Sequence, residues 1–196
     1  MVEAGFVIGA YLLGSISFGI LLSKLFSLPD PRTVGSGNPG ATNVLRSGKK
    51  IAALLTLLGD ALKGALAVWA AMHFGLSDVM VCLVALAVFI GHLYPVYYGF
   101  KGGKGVATAL GVLLAVSVWL GLAVLLTWLL AFLLWRYSSL SAILAALLSP
   151  LYAWQLMPAS PYFWLTAVFA LLLIWRHRSN IRNLLNGTEG GFKKQS

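Results

Sequence analysis

A chain of 196 residues that is 60% hydrophobic and only 10% charged cannot fold as a soluble domain. Soluble domains carry about 25% charged residues, and a small globule has too much surface to hide so many apolar side chains. Its mean hydropathy of +0.89 makes lipid the missing solvent, while a net charge of +9 favours anionic lipid or small phosphorylated ligands as partners and leaves no soluble module to hold nucleic acid.

Read from the N-terminus, Ala4 to Ser23 makes a first membrane helix, since a span needs about 20 apolar residues. Glu3 stands where a signal peptide would be basic, so this helix is expected to be retained. Lys24 to Lys50 is polar and rich in Gly, Pro, Ser and Asn, a loop. Ile51 to Met72 and Val79 to Tyr97 are the second and third helices, and Tyr98 to Gly105 is a Gly/Lys loop. Cys82, within the third apolar run, reads as a packing residue. Leu140 to Met157 and Tyr162 to Trp175 close the apolar part, before a basic tail.

Between them, Val106 to Trp135 runs for thirty residues without a charge. One helix of that length would measure about 45 Å, against a hydrocarbon core of about 30 Å. A break near Trp119–Gly121 gives two shorter helices and a total of seven. With seven, no Lys or Arg falls in an outer connection, which the positive-inside tendency favours. The expectation is a single all-α membrane domain over 1–196 with seven short transmembrane helices. The N-terminus lies outside and the C-terminus in the cytoplasm, with polar segments 24–50, 98–105 and 176–196 cytoplasmic. Small residues such as Gly14, Ser15, Ser17, Gly19, Gly64, Ala65 and Ala67 suit close helix packing in lipid.

Those three segments hold the candidate chemistry. Gly35-Ser-Gly-Asn-Pro-Gly-Ala-Thr-Asn-Val-Leu-Arg46 combines turn residues with neutral hydrogen-bonding groups at Ser36, Asn38, Thr42 and Asn43. Arg46 adds a charged fork suited to phosphate. Just beyond, Asp60 and Lys63 stand at i, i+3 inside the second helix, where ionisable groups pair or serve a site. The second segment, His92 to Thr108, runs through Pro95 into Lys101-Gly102-Gly103-Lys104-Gly105. A Gly-rich turn feeding a helix N-terminus offers N–H groups and the positive dipole end to an anion. It is not a Walker A loop, for Gly105 follows Lys104 where Ser or Thr is required. His92 is read as orienting this loop. The third segment, Arg176-His177-Arg178-Ser179-Asn180-Ile181-Arg182-Asn183, then Gly187-Thr188-Glu189, mixes anchoring arginines with His177, Asn180 and Glu189, polar groups that anchoring does not explain.

These segments resemble one family throughout the chain. GSGNPGATNVLR (35–46), LGDALKG (58–64), HLYPVYYGFKGGKGVAT (92–108) and RHRSNIRNLLNGTE (176–189) are similar to the bacterial membrane-bound acyl-phosphate:glycerol-3-phosphate acyltransferases of the PlsY type. The resemblance implies transfer of a fatty acyl group from acyl phosphate to the C1 hydroxyl of sn-glycerol 3-phosphate, releasing phosphate, at the start of phospholipid synthesis in the bacterial inner membrane. It carries over to Ser36 and Arg46, to Gly99–Gly105 with Lys101 and Lys104, and to His177, Asn180 and Glu189. The expected catalytic residues are His177, Ser36 and Asn180. Arg46, Asn38, Thr42, Asn43, Lys101, Gly102, Gly103, Lys104, Gly105 and Glu189 are expected to bind substrate or phosphate, with Asp60, Lys63 and His92 as intramembrane support.

A site of Arg, Lys, Gly N–H groups and neutral donors suits two phosphorylated substrates and a phosphate leaving group. Acyl phosphate is already activated, so direct transfer is expected rather than an acyl-enzyme. The proton acceptor is either His177 or the substrate's own phosphate. No cofactor, metal or obligatory protein partner is called for, because Asp30, Asp60 and Glu189 are widely separated in sequence and Mg²⁺ prefers clustered carboxylates. The competing reading is a small-anion transporter, supported by the charges inside a span and the basic inner mouth. Against it, the outer connections hold few polar residues to receive a solute.

Overall fold

The computed structural model describes residues 1–192, and the regular secondary structure among them is all helical. Residues 193–196 of the basic tail lie outside the described residues. The chain forms two compact units, Met1–Val116 and Ser117–Ser196. The first holds α1 (Val2–Gly14), α2 (Phe18–Leu25), α3 (Ala41–Arg46), α4 (Lys50–His73), α5 (Asp78–Leu93) and α6 (Val106–Val116). The second holds α7 (Val118–Trp135), α8 (Ser138–Leu156), α9 (Tyr162–Arg176) and α10 (Arg178–Leu185).

The burial pattern is inverted relative to a soluble bundle. On α4, Leu62 is 55% exposed while its neighbour Lys63 is 2% exposed. Buried positions of α4 are mostly small or polar: Ala52, Ala53, Thr56, Gly59, Gly64, Ala67 and Ala71. Without a hydrophobic drive between helices, close backbone approach supplies the packing. A Cβ on Gly14 would strike the Val88 backbone and one on Gly91 that of Tyr11, which brings α1 against α5. Gly64 abuts Thr108 and Gly111 abuts Ala61, which does the same for α4 and α6.

Among the described residues four helical stretches are long and apolar enough to cross a membrane: Lys50–His73, Asp78–Tyr98, Val118–Trp135 and Ser138–Leu156. The α1–α2 pair makes a fifth if it is one span. The sequence pattern predicts one helix there, Ala4 to Ser23, and the structure divides it into two segments bent by 41°. Ser15 causes much of this. Its hydroxyl donates back to the Tyr11 carbonyl at 2.9 Å and accepts the Val96 N–H at 3.3 Å, a back-bonding pattern that bends helices. Ser17 is extended and starts α2.

The predicted break in 106–135 also exists, but at Ser117 rather than Trp119–Gly121. Ser117 is extended, and its hydroxyl accepts the Leu120 N–H at 3.4 Å as an N-cap of α7. That leaves α6 with 11 residues and α9 with 15, both shorter than a full span.

In the second unit α8 packs against both α7 and α9. The Thr127 and Tyr152 hydroxyls join α7 to α8 at 2.8 Å. Pro150 lies inside α8, where it has no N–H for the Ala146 carbonyl. The Ser149 hydroxyl donates to that carbonyl instead, at 2.8 Å, so the helix continues through the proline.

Candidate functional site

In the first unit the loop preceding α3 is wound around Asn43. Its amide nitrogen donates to the Pro31 carbonyl at 2.8 Å and to the Val34 carbonyl at 3.0 Å. Its amide oxygen accepts the Ser36 N–H at 3.0 Å. Gly35 and Gly37 flank Ser36 with φ of 58° and 67°, left-handed values that glycine adopts without cost. The result holds Ser36 exposed at the tip of a tight turn. Asn38 and Thr42 are half-buried, and Arg46 is exposed at the last turn of α3.

Asn43 thus takes a different task from the phosphate-binding one expected of it. It is 3% exposed and all three bonds hold the loop itself. Nearby, Arg32 grips Asp30 through Nε and Nη2, the shortest contact being 2.6 Å. The hydrogen-bonded guanidinium holds the Asp30 carboxyl below the usual range. Arg32 also lies 5.9 Å from the centre of the Tyr98 ring, linking this loop to the next.

That second loop begins where Pro95 ends α5. A short 3₁₀ turn over Val96–Tyr98 follows, then Gly99 and Phe100 at φ of 62° and 61°. The Phe100 N–H returns to the Pro95 carbonyl at 2.9 Å and the Gly103 N–H to the His92 carbonyl at 3.1 Å, so the loop folds back on the end of α5. Lys101 is exposed and Lys104 half-buried. Gly105, at φ 86°, leads directly into α6, the anticipated turn-into-helix arrangement. Gly102 and Gly103 are needed for a reason other than the open anion contact anticipated. Both are buried, and a Cβ on either would strike the His92–Pro95 segment or the His92 ring.

Asp60, Lys63 and His92 come together in this unit. Lys63 Nζ lies 2.8 Å from Asp60 Oδ1, within ion-pair reach though off the hydrogen-bond axis. It lies 3.0 Å from His92 Nδ1 and donates to the Ile16 carbonyl at 2.6 Å.

In the second unit the tail residues gather at the end of α9. The helix stops at Arg176, and His177, 3% exposed, starts α10. His177 Nδ1 is 2.8 Å from the Leu173 carbonyl. A carbonyl only accepts, so Nδ1 carries the proton and, in neutral imidazole, Nε2 carries the lone pair. Asn180 is the buried residue of α10, and its Nδ2 donates to Glu189 Oε1 at 2.7 Å. The Ser139 hydroxyl donates to the same oxygen at 2.5 Å. Glu189, expected to help bind substrate, accepts through Oε1 from both Ser139 and Asn180.

Ser139 and the Ile16 carbonyl escaped sequence reasoning. Ser139 is fifty residues from Glu189, and a main-chain carbonyl leaves no mark in sequence.

The family model described as glycerol-3-phosphate acyltransferase matches residues 4–187. The chain is 67% identical, over the full length of both proteins, to the glycerol-3-phosphate acyltransferase of Methylobacillus flagellatus. It is 55% identical over the full length of both to that of Thiobacillus denitrificans. Among solved structures it is similar to PlsY, an integral membrane glycerol 3-phosphate acyltransferase crystallised in a glycerol 3-phosphate form. There the TM-score is 0.94 and the identity 43%, covering 98% of this chain and 96% of that one. The lysophosphatidic acid form of PlsY matches with a TM-score of 0.92.

Proposed function

From the premise that the chain belongs to the glycerol-3-phosphate acyltransferase family, and so is an integral membrane acyltransferase of phospholipid synthesis, we propose that it moves a fatty acyl group from acyl phosphate to the C1 hydroxyl of glycerol 3-phosphate. The hydroxyl oxygen attacks the acyl carbonyl carbon, and the carbon–oxygen bond to phosphate breaks. The products are 1-acylglycerol 3-phosphate and inorganic phosphate. Transfer is direct, with no acyl-enzyme, because the mixed anhydride gains little from a further ester.

The observation that carries this mechanism is the Nδ1 contact of His177 with the Leu173 carbonyl. It presents Nε2 as the acceptor, so His177 takes the hydroxyl proton as the bond forms. Asn180, oriented by Glu189, is a positioning donor in the second unit. In the first unit, Ser36 and Arg46 with Lys101 and Lys104 bind phosphate oxygens, and Asn38 and Thr42 add neutral donors. Concentrated cationic and neutral donors lower the cost of the charge gathering on the leaving phosphate.

Seven spans with the N-terminus outside and a cytoplasmic active face in the bacterial inner membrane complete the reading. The arginines of α10 and the basic residues 46–50 support it through the positive-inside tendency. Cysteines placed at Ser77 and Ser179 in a Cys82→Ala background check this. Labelling from outside should mark position 77 alone, and labelling at 179 alone would overturn it.

The donor is tested with purified protein in detergent and labelled glycerol 3-phosphate. Lysophosphatidate should form with palmitoyl phosphate and not with palmitoyl-CoA. Turnover with the thioester alone would refute the acyl phosphate assignment.

A further inference from the structure

An ammonium has three N–H donors and no acceptor, and Lys63 ties together three elements of the first unit through two hydrogen bonds and one ion pair. Its partners are the Ile16 carbonyl at 2.6 Å, His92 Nδ1 at 3.0 Å on α5, and Asp60 Oδ1 at 2.8 Å on α4 itself. The Ile16 carbonyl lies in the break between α1 and α2, outside both helices. All three side chains are buried: Asp60 and Lys63 are each 2% exposed and His92 6%.

Lys63 only donates, so His92 Nδ1 accepts and the ring proton sits on Nε2. That edge of the ring faces Gly103. A Cβ built on Gly103 would strike Nε2 and come within 2.9 Å of Cε1 and 3.1 Å of Cδ2. The Gly103 N–H meanwhile donates to the carbonyl of His92 at 3.1 Å. His92 thus holds Gly103 from two directions, one residue before Lys104 and three before α6 starts.

We propose that Asp60, Lys63 and His92 are positioning residues for the loop Lys101–Gly105. The ammonium, anchored by the helix break and by Asp60, sets the imidazole; the imidazole sets Gly103; Gly103 fixes where Lys104 and the first N–H groups of α6 meet phosphate. This rests on the reading that the loop binds a substrate phosphate. A buried ion pair that only held the bundle together would change stability and leave substrate saturation alone.

The test is kinetics for each of the two phosphate substrates, with thermal unfolding in detergent, on Gly103→Ala, His92→Ala, their double variant, His92→Asn and Lys104→Met. Gly103→Ala should raise KM for one of the two substrates about tenfold with little change in kcat. Contacting residues give non-additive effects, so removing the ring should make room for the new methyl. The double variant should then show the KM of His92→Ala alone. In His92→Asn, Oδ1 stands close to the former Nδ1 and still accepts from Lys63. Its Tm should stay near that of the parent while KM rises.

KM effects of Gly103→Ala and His92→Ala that simply multiply would overturn the proposal. So would a normal KM in both His92 variants with a raised KM in Lys104→Met. An unchanged KM in Lys104→Met and Gly103→Ala alike would instead strike the phosphate-loop reading, and the proposal with it.

Discussion

The first unit buries a lysine inside a helix long enough to cross a membrane, whereas the second keeps its one interacting acid on the tail that follows α10. Lys63 is matched by a carboxylate, an imidazole and a carbonyl drawn from three elements. Glu189 is matched by two neutral donors, the Ser139 hydroxyl and the Asn180 amide. The difference shows how each unit meets the cost of desolvating charge. Where the charged group is fully buried, an ion pair and hydrogen bonds are present together. Near the end of the bundle, neutral donors suffice, and they fix an orientation rather than cancel a charge.

If that contrast is right, the largest effect comes from Asp60→Asn. Leaving a buried charge without its counterion costs about 3–5 kcal/mol, so the variant should unfold far below the parent in detergent. Lys63→Met added to it should restore much of the loss. Equal unfolding of parent and Asp60→Asn would mean that Lys63 is neutral or solvated.

Asn43→Ala should come next, at about 2 kcal/mol, because it strands the Ser36 N–H and two carbonyls together. Hydrogen exchange should accelerate over residues 31–36 and stay unchanged over α7–α9. Uniform acceleration would show that Asn43 supports more than its loop.

The smallest effect belongs to Asp30→Asn, whose partner Arg32 is 32% exposed; such a pair is worth under about 1 kcal/mol. The Asp30 pKa is lowered from 3.8 by its hydrogen bond with Arg32. Its stabilisation is therefore full above that ordinary value and fades as pH falls toward the lowered one. Parent and variant should differ slightly at neutral pH and converge in acid. A gap that widened with acid would reverse the sign of the argument.

Much of this was legible in sequence because lipid imposes a simple rule: long apolar runs form helices, and polar stretches connect them. The Gly/Lys turn into α6 and the stop at Pro95 follow from local chemistry and stand where the sequence puts them. The bend at Ser15–Ser17 was not legible, since apolar residues run through it and its cause includes a hydrogen bond to Val96, eighty-one residues away. The same distance problem hid Ser139. Asn43 was misread for another reason. A lone amide in a Gly-rich loop has the same composition whether it faces a ligand or its own backbone, and only burial separates the two. The α6/α7 break was displaced because Trp119–Gly121 offered a bulky-to-small change, whereas Ser117 offered an N-cap.

The account turns on His177 as proton acceptor in direct transfer from acyl phosphate, and His177→Asn measures it most directly. The amide keeps a hydrogen-bonding group and removes the base. With acyl phosphate and glycerol 3-phosphate saturating, kcat should fall by about 10²–10⁴. A His177→Asn enzyme that kept most of its kcat would contradict the account and assign the proton to the substrate's own phosphate.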